Sequence, residues 1–328
     1  MKLSARRGAV LVAASLLAPA TLAACGGSSS SSASGSSSAG KATTSVGVTV
    51  TGGFGDKPTL TVPSKAAPAK LTTDVLTAGS GPAVSNGQSV VVNYLGQTWD
   101  AKDGKANVFD NSYDRKTALA IQLAQGGIID GWRYGLVGRK AGSRVEMAVP
   151  PTWGYGTQGN PQAGIKGTDT LVFVVDVKGT YPVTSSAKGK EVAQGDADLP
   201  KVGTNTDGKA PSVEVPKKDA PTALVANYII EGDGEALAAT DSVLVQYKGL
   251  QWDTGKEFNS TYESRTLAPF ALSQLVKGWS QGLVGKKVGS RVLIVIPPKL
   301  GYGDSPPSGS GIKKNATLVF TVDILAKL

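Results

Sequence analysis

An internal duplication limits how this chain can fold. The segment GDKPTLTVPSKAAPAKL (residues 55–71) aligns with GKAPSVEVPKKDAPTAL (residues 208–224) at an offset of 153 residues. The correspondence continues, at an offset of 153 and then of 147, through the pairs Tyr94 with Tyr247, Trp99 with Trp252, Trp132 with Trp279, Tyr155 with Tyr302, and Phe173 with Phe320. Two copies of roughly 120 residues are too long for a solenoid repeat, so the sequence predicts two tandem globular domains.

Composition excludes several classes of chemistry. The 328 residues contain no His and one Cys, which rules out His-based catalytic triads, His-ligated metal sites and an internal disulfide. We therefore expect no cofactor and no metal. Basic runs are never longer than two residues and are not interleaved with aromatic residues, so no nucleic-acid partner is expected.

The N-terminal region has the pattern of an export signal. Lys2, Arg6 and Arg7 precede an apolar run of about 15 residues, too short to span a bilayer comfortably, which ends in LAAC at residues 22–25. This ending resembles a bacterial lipobox. The resemblance implies that residues 1–24 are a lipoprotein signal peptide, that Cys25 is lipidated, and that the protein is extracytoplasmic and anchored to the bacterial cell membrane. The alternative is an ordinary signal peptide with an incidental Cys. Residues 25–51 are rich in Ser and Gly and predict a flexible tether.

Hydrophobic periodicity predicts the same elements in each copy. Strands with a period of two are expected over Val90–Tyr94, Arg144–Val149 and Thr170–Val177, and over Val243–Tyr247, Arg291–Ile296 and Thr317–Leu325. One segment per copy has helical spacing, and its apolar face would carry Ile128, Ile129, Trp132 and Leu136, or Leu275, Val276, Trp279 and Leu283. The predicted class is α+β, with a twisted antiparallel sheet wrapped on one short helix in each domain.

The ordered motifs resemble the FKBP-type peptidyl-prolyl cis-trans isomerases. The first copy reads VVVNYLG, FDNSYDR, IIDGWRYGL, VPPTWGYG and TLVFVVDV, and the second reads VLVQYKG, FNSTYESR, LVKGWSQGL, IPPKLGYG and TLVFTVDIL. The resemblance implies an FKBP-like isomerase domain at residues 52–181, a linker at 182–206 and a second FKBP-like domain at 207–328.

The resemblance also implies a pocket in the first copy. Trp132 would form the floor, Tyr155 would donate its hydroxyl to the substrate carbonyl, and Asp110, tied to Arg115, would be the polar group near the twisting amide. Tyr94, Phe109, Ile128, Ile129 and Phe173 would form the walls. Leu119 would stand where the family has an aromatic wall, and Ile165 would lie in the flap after Tyr155. The alternative is that these apolar residues only pack in the hydrophobic core and that Asp110 and Arg115 form a salt bridge that positions a loop.

The second copy departs from this pattern. Most of the cavity would be kept by Tyr247, Phe258, Val276, Trp279, Tyr302, Ile312 and Phe320. However, Asn259 replaces the acid, Arg265 is one position later than Arg115, and Ala268 stands where the family has an aromatic residue. The second domain is therefore either a weaker isomerase or a non-catalytic binding module.

The resulting functional hypothesis is a membrane-anchored isomerase that acts on X-Pro segments of exported polypeptides and assists their folding. The family also implies that macrolides enter the same pocket. Two alternatives stay open: a non-catalytic FKBP-fold chaperone or binding module, and a structural lipoprotein with adhesive β domains, which would have neither the pocket nor the GWxxGL helix.

Overall fold

The computed structural model describes residues 46–100 and 107–328. The predicted signal peptide, Cys25 and the tether as far as residue 45 lie outside the described residues. The described residues belong to one compact unit that contains two large antiparallel sheets. None of their helices is long and apolar enough to cross a membrane.

The first of the two described domains begins with a hairpin and continues into a six-stranded sheet. The hairpin pairs β1 (Thr49–Thr51) with β2 (Thr59–Thr61). The other elements are β3 (Thr72–Thr77), β4 (Ser89–Thr98), β5 (Val108–Asn111), β6 (Leu119–Gln122), α1 (Asp130–Leu136), β7 (Arg144–Val149) and β8 (Leu171–Tyr181). The strand order is β3-β7-β8-β4-β5, and β6 also pairs with β4.

The second half repeats this arrangement in a seven-stranded sheet. Its elements are β9 (Lys190–Glu191), β10 (Lys201–Val202), β11 (Val213–Glu214), β12 (Val225–Glu231), β13 (Ser242–Gln251), β14 (Glu257–Ser260), α2 (Thr261–Ser264), β15 (Ala268–Ala271), α3 (Lys277–Leu283), β16 (Arg291–Ile296) and β17 (Leu318–Lys327). The sheet order is β14-β13-β17-β16-β12-β9 with β15 also on β13, and β10 pairs with β11 as a separate hairpin. This α+β architecture of two similar domains agrees with the predicted fold class.

The central strands are buried because both of their faces are covered. On β7, every residue is buried, and Val145, Met147 and Val149 pack with Trp132 and Leu136 of α1 in the front core. The opposite, back face of the first sheet packs against its N-terminal hairpin through Val46, Val48, Leu60, Leu95, Trp99, Ala148, Val172 and Val174. Each sheet therefore has a helix on one face and a β-hairpin on part of the other.

The segment predicted to be a linker carries secondary structure of its own. Within residues 182–206, β9 pairs with β12 and β10 pairs with β11. Ala187, Leu199 and Val202 pack on the back face of the second sheet. The backbone N–H of Ala187 donates a 2.9 Å hydrogen bond to the carboxylate of Asp323. This segment covers the second sheet as residues 46–61 cover the first.

The far end of each back face is buried against the other domain. The shared apolar cluster contains Val91, Ala118, Ala120 and Tyr181 from the first domain, and Leu244, Leu267, Leu325, Ala326 and Leu328 from the second. Val91 and Leu244 occupy equivalent positions in the repeat, and so do Tyr181 and Leu328. Both domains thus present the same patch, which is the pattern of an isologous interface.

The helices are shorter than the sequence spacing predicted. Helix α1 begins at Asp130 and α3 begins at Lys277, so Ile128, Ile129, Leu275 and Val276 precede the helices rather than lying on them. Ile129 and Val276 are the N-cap residues and have extended ψ angles of 141° and 145°. Their side chains still pack on the core, because the extended approach to each helix runs along the same face as the helix.

Candidate active site

A box of aromatic rings stands between helix α1 and the first sheet. Trp132, at 2% exposure, contacts Tyr94 and Phe173 edge to face at centroid distances of 5.2 and 5.4 Å. Phe109 of β5 meets Phe173 in the same way at 5.7 Å. Edge-to-face contacts of this kind fix the ring orientations. Four of the five aromatic residues predicted for the first pocket, all except Tyr155, are therefore brought together.

A glycine makes this ring packing feasible. Gly96 lies on β4 between the rings, and a Cβ atom at this position would stand 2.7 Å from Phe173 and 2.8 Å from Phe109. Gly249 of the second domain is in the same situation between Phe320 and Phe258. Real Cβ contacts are never this short, so the Y-x-G motif keeps space for two phenylalanine rings above the strand.

The polar edge of the box is a three-residue network. Tyr94 donates its hydroxyl hydrogen to Asp110, and the guanidinium of Arg115 pairs with the other carboxylate oxygen. Arg115 also donates to the Tyr94 hydroxyl oxygen at 3.0 Å and lies over the Tyr94 ring. Burial, followed by the hydrogen bond to Asp110, raises the pKa of Tyr94 above its usual range, so the hydroxyl stays protonated. The predicted tie between Asp110 and Arg115 is present.

The remaining predicted residues surround the box at different depths. Ile165 is buried in the core at 3% exposure, and Leu119, Ile128 and Ile129 are half-buried against it. Tyr155 differs from these, because it is 39% exposed and its hydroxyl makes no hydrogen bond with a described residue. The indole N–H of Trp132 is buried and likewise lacks a partner among the described residues. The Trp132 indole is thus an unsatisfied buried donor among the described residues, whereas the Tyr155 hydroxyl is open to solvent.

The second domain repeats the box with more rings. Trp279 contacts Tyr247 at 5.5 Å and Phe320 at 5.2 Å, and Phe258 contacts Phe320 at 5.6 Å. Val276, Tyr302 and Ile312 are half-buried against the same core. Burial, with a contribution from the nearby Tyr302, raises the pKa of Tyr247. In contrast to Tyr155, Tyr302 is drawn into the apolar cluster.

Sequence reasoning missed one aromatic residue of the second box. Ala268 indeed lacks a ring, but Phe270, two residues later on β15, contacts Trp279 at 5.8 Å and Tyr247 at 5.9 Å. Strand register assigns Phe270 to the position of Ile121, since they pair with the equivalent residues Val243 and Val90. The alternation along LAPFAL places Ala268 and Phe270 on the same face, and this period of two was the available signal.

The second domain lacks the charged network. Asn259 accepts a 3.0 Å hydrogen bond from the Tyr247 hydroxyl, but within the described part of the chain it has no cationic partner. Ser264 occupies the position of Arg115, and its hydroxyl donates to the carbonyl of Thr261. Arg265 follows in the left-handed conformation, with φ of 52°, as Lys116 does in the first domain. The shift of Arg265 predicted from the sequence therefore removes the ion pair.

Comparison with known proteins agrees with this geometry. The profile of the FKBP-type peptidyl-prolyl cis-trans isomerases matches residues 81–178 and 234–325, which is more than half of the chain. The chain belongs to this family. The two FKBP matches include both aromatic boxes and most strands of the two sheets. Strands β3, β9 and β12 and the hairpins that cover the back faces lie outside them.

Two relatives each match about one third of this chain. A probable FK506-binding protein of Corynebacterium glutamicum is 38% identical over 117 residues, which cover 35% of this chain and 97% of that protein. The isomerase FkpA of Escherichia coli is 41% identical over 108 residues, which cover 33% of this chain and 39% of FkpA. The crystal structure of FkpA is 40% identical over 34% of this chain and 50% of the other, with a TM-score of 0.30.

Proposed function

We propose that the first domain is the main catalyst of X-Pro isomerisation in this protein, and that it acts on exported polypeptides outside the cytoplasm. The observation that carries this proposal is the network of Tyr94, Asp110 and Arg115 at the edge of an aromatic box. The second domain keeps the box but not the charges.

The reaction explains why such a site is sufficient. Rotation about the X-Pro amide breaks no covalent bond of the backbone, but amide resonance opposes it by about 18–20 kcal/mol. A twisted amide has less charge separation than a planar one, so an apolar pocket favours the twisted state over the ground state. The proline ring would rest on Trp132 between Tyr94 and Phe173. No nucleophile or metal is required by this route.

The charged network at the edge of the pocket is preorganised. Asp110 is held on one side by Arg115 and on the other by Tyr94, so its carboxylate is fixed before a substrate arrives. A preorganised dipole costs little reorganisation when the amide twists, and one positioned polar group typically contributes on the order of 10²-fold in rate. Tyr155, which is exposed and unpaired among the described residues, is available to donate to a substrate carbonyl.

The test is an exchange of one side chain between the domains. In the full chain, Asp110→Asn should lower kcat/KM for an X-Pro peptide by about 10- to 100-fold, whereas the matched change Asn259→Asp should not lower it. A protease-coupled peptide assay gives the rates, and circular dichroism checks that both variants fold. Unchanged activity of Asp110→Asn would mean that the polar edge of the first box is not catalytic.

A binding role is a second candidate for the second domain. Phe270 fills the wall beside Trp279, and Asn259 carries no charge. Such a pocket can hold an apolar ring without a charged group to orient the amide. Titration of each domain with a macrolide, followed by tryptophan fluorescence, would compare the two pockets directly. We expect tighter binding by the first domain, since it retains Asp110 and Arg115.

The anchor rests on the sequence alone. The run LAAC followed by a Ser-rich tether supports lipidation of Cys25, which would keep the isomerase at the membrane surface. The wild-type protein should partition into detergent, and Cys25→Ala should not. An intact mass without two or more acyl chains on Cys25 would contradict this part of the proposal.

A further inference from the structure

The N-terminal hairpin reaches the loop that carries the catalytic charges. This loop, here called the Asp110 loop, comprises residues 110–117 and contains both Asp110 and Arg115. The hairpin tip, residues 52–57, lies beside it, outside the part of the chain that matches the family profile. Two sets of contacts connect the tip with the loop.

The first connection is a fully buried ion pair. Arg144 donates to Asp176 from Nε at 2.7 Å and from Nη2 at 2.8 Å, and both side chains are 1% exposed. The same guanidinium donates to the carbonyls of Gly52 and Asp56 at 2.6 Å each. A buried pair needs its remaining donors and acceptors satisfied, and the hairpin tip satisfies those of Arg144.

Asp176 carries the connection from the hairpin to the Asp110 loop. Its carboxylate accepts a 2.7 Å hydrogen bond from the backbone N–H of Gly55 in the hairpin tip and a 3.0 Å hydrogen bond from the hydroxyl of Tyr113 in the loop. Arg144 also donates to the Tyr113 hydroxyl at 3.3 Å. Tyr113 is three residues from Asp110 and two from Arg115, so the position of its side chain constrains the backbone that presents both charges.

The second connection is direct. Lys57 donates to both carboxylate oxygens of Asp114, at 2.7 and 2.9 Å. The Asp114 carboxylate also accepts a 3.1 Å hydrogen bond from the side-chain amide of Asn111, and the backbone N–H of Asp114 donates a 2.9 Å hydrogen bond to the side-chain oxygen of Asn111. The turn between Asp110 and Arg115 is thus stabilised by hydrogen bonds of its own and is joined to the hairpin by the Lys57–Asp114 ion pair.

The second domain shows which of these contacts is specific to the first. Arg291, Asp323 and Tyr262 repeat the buried connection, and Arg291 donates to the carbonyls of Gly203 and Asn205 at 2.8 Å each. Glu263, at the position of Asp114, has no ion pair among the described residues. The direct link is therefore present only beside the charged network.

We infer that the N-terminal hairpin is a positioning element for catalysis in the first domain, and that Lys57 and Tyr113 are its positioning residues. The inference rests on the proposed role of Asp110. The hairpin packs on the back face of the first sheet, whereas the aromatic box stands on the front face. It fixes the Asp110 loop, so that Asp110 and Arg115 keep one arrangement relative to Tyr94 during the reaction.

The test uses the full chain and variants at the edge of the network, since removing Arg144 or Asp176 is expected to unfold the domain. Lys57→Ala should lower kcat/KM about 2- to 5-fold and Tyr113→Phe about 3- to 10-fold, mainly through kcat. Lys57→Arg should restore activity. The matched variants Glu263→Ala and Tyr262→Phe in the second domain should leave it unchanged.

A double-variant measurement separates positioning from general destabilisation. In the background of Asp110→Asn, Lys57→Ala and Tyr113→Phe should cause no further loss, because the group that they position is absent. Additive losses would overturn the inference.

A readout without turnover separates this inference from the proposed function. The side-chain NMR resonance of Arg115 should shift in Lys57→Ala and Tyr113→Phe, and not in the two matched variants. If wild-type protein lacks isomerase activity while the Arg115 resonance shifts, the proposed function fails and the structural coupling stands. An active wild type with an unmoved resonance overturns the coupling.

Discussion

Among single residues, Glu146 distinguishes the two domains most clearly. It lies on the back face of β7 with 0% exposure, and both of its carboxylate oxygens lack a hydrogen-bond partner within the described residues. Burial, with repulsion from Asp74 opposite it on β3, raises its pKa from 4.5 to about 7. The nearby Arg144 is fully occupied by Asp176 and the hairpin tip. The second domain has Leu293 at this position.

This residue predicts a pH-dependent stability of the first domain. Because the folded-state pKa lies above the unfolded value, folding favours the protonated acid, and the full stability is present below about pH 4.5. That stability is lost as the pH rises through about 7, by an amount on the order of 3 kcal/mol. Glu146→Leu should abolish the loss and raise the free energy of unfolding above pH 7, as measured by urea denaturation at several pH values.

Two observations would contradict this account of Glu146. One is an equal change in the free energy of unfolding between pH 5 and pH 8 in the wild type and in Glu146→Leu, since the variant reports the contribution of all other titrating groups. The other is destabilisation by Glu146→Gln at pH 8, since the neutral amide has the same shape without the buried charge.

Most single residues of the candidate site were predictable from the sequence. The aromatic residues Tyr94, Phe109, Trp132 and Phe173 were identified by motif order, and the sheet brings them together as expected. Phe270 and Tyr113 were missed. The period of two along LAPFAL was the only local signal for Phe270, whose position depends on strand register, and the role of Tyr113 depends on a partner more than 60 residues away in sequence.

The bounds of a strand were predictable from the sequence where both of its faces are buried. Arg144–Val149 and Arg291–Ile296 are found with the predicted bounds, because β-branched and aliphatic residues continue to the last ladder pair. The hairpin strands were not resolved by periodicity. Each has two or three residues, often polar, and is stabilised by packing on a sheet rather than by its own propensity.

The packing of residues 184–204 predicts the extent of the second domain. A fragment of residues 184–328 should unfold in one cooperative transition. A fragment of residues 205–328 lacks Ala187 and Val202, and in it Arg291 has lost the Gly203 carbonyl as a hydrogen-bond acceptor. Its free energy of unfolding should therefore be lower than that of the 184–328 fragment by at least about 3 kcal/mol. Urea denaturation followed by tryptophan fluorescence compares the two.

The first domain supplies the matched pair of fragments for this prediction. Residues 46–181 and 53–181 differ by the first strand of the equivalent hairpin, with Val46, Val48 and the carbonyl of Gly52, and should show a similar loss. Equal stability of the 184–328 and 205–328 fragments would mean that residues 184–204 are only a connection between domains.

At the level of the whole molecule, the duplication predicted two domains but not their contact. Val91 and Ala118 are ordinary sheet and loop residues by their sequence context, and nothing in their spacing identifies the surface that buries them. The interface becomes visible only because equivalent apolar residues of both copies, such as Val91 and Leu244, enter one cluster. A shared cluster of this kind couples the stability of the two domains.

The contact between domains predicts the behaviour of a charge placed within it. Leu267, which is 3% exposed, precedes β15 and packs in the interdomain cluster, whereas Trp279 packs in the front core. Leu267→Asp in the full chain should cost about 2 kcal/mol by burying an unpaired carboxylate or by separating the domains, which lowers Tm by about 4–8 °C. In the isolated 184–328 fragment, where Leu267 would face water, the same substitution should change Tm by less than about 2 °C. Calorimetry of the four proteins makes the comparison, and an equal shift in chain and fragment would place Leu267 in the core of its own domain instead of the interface.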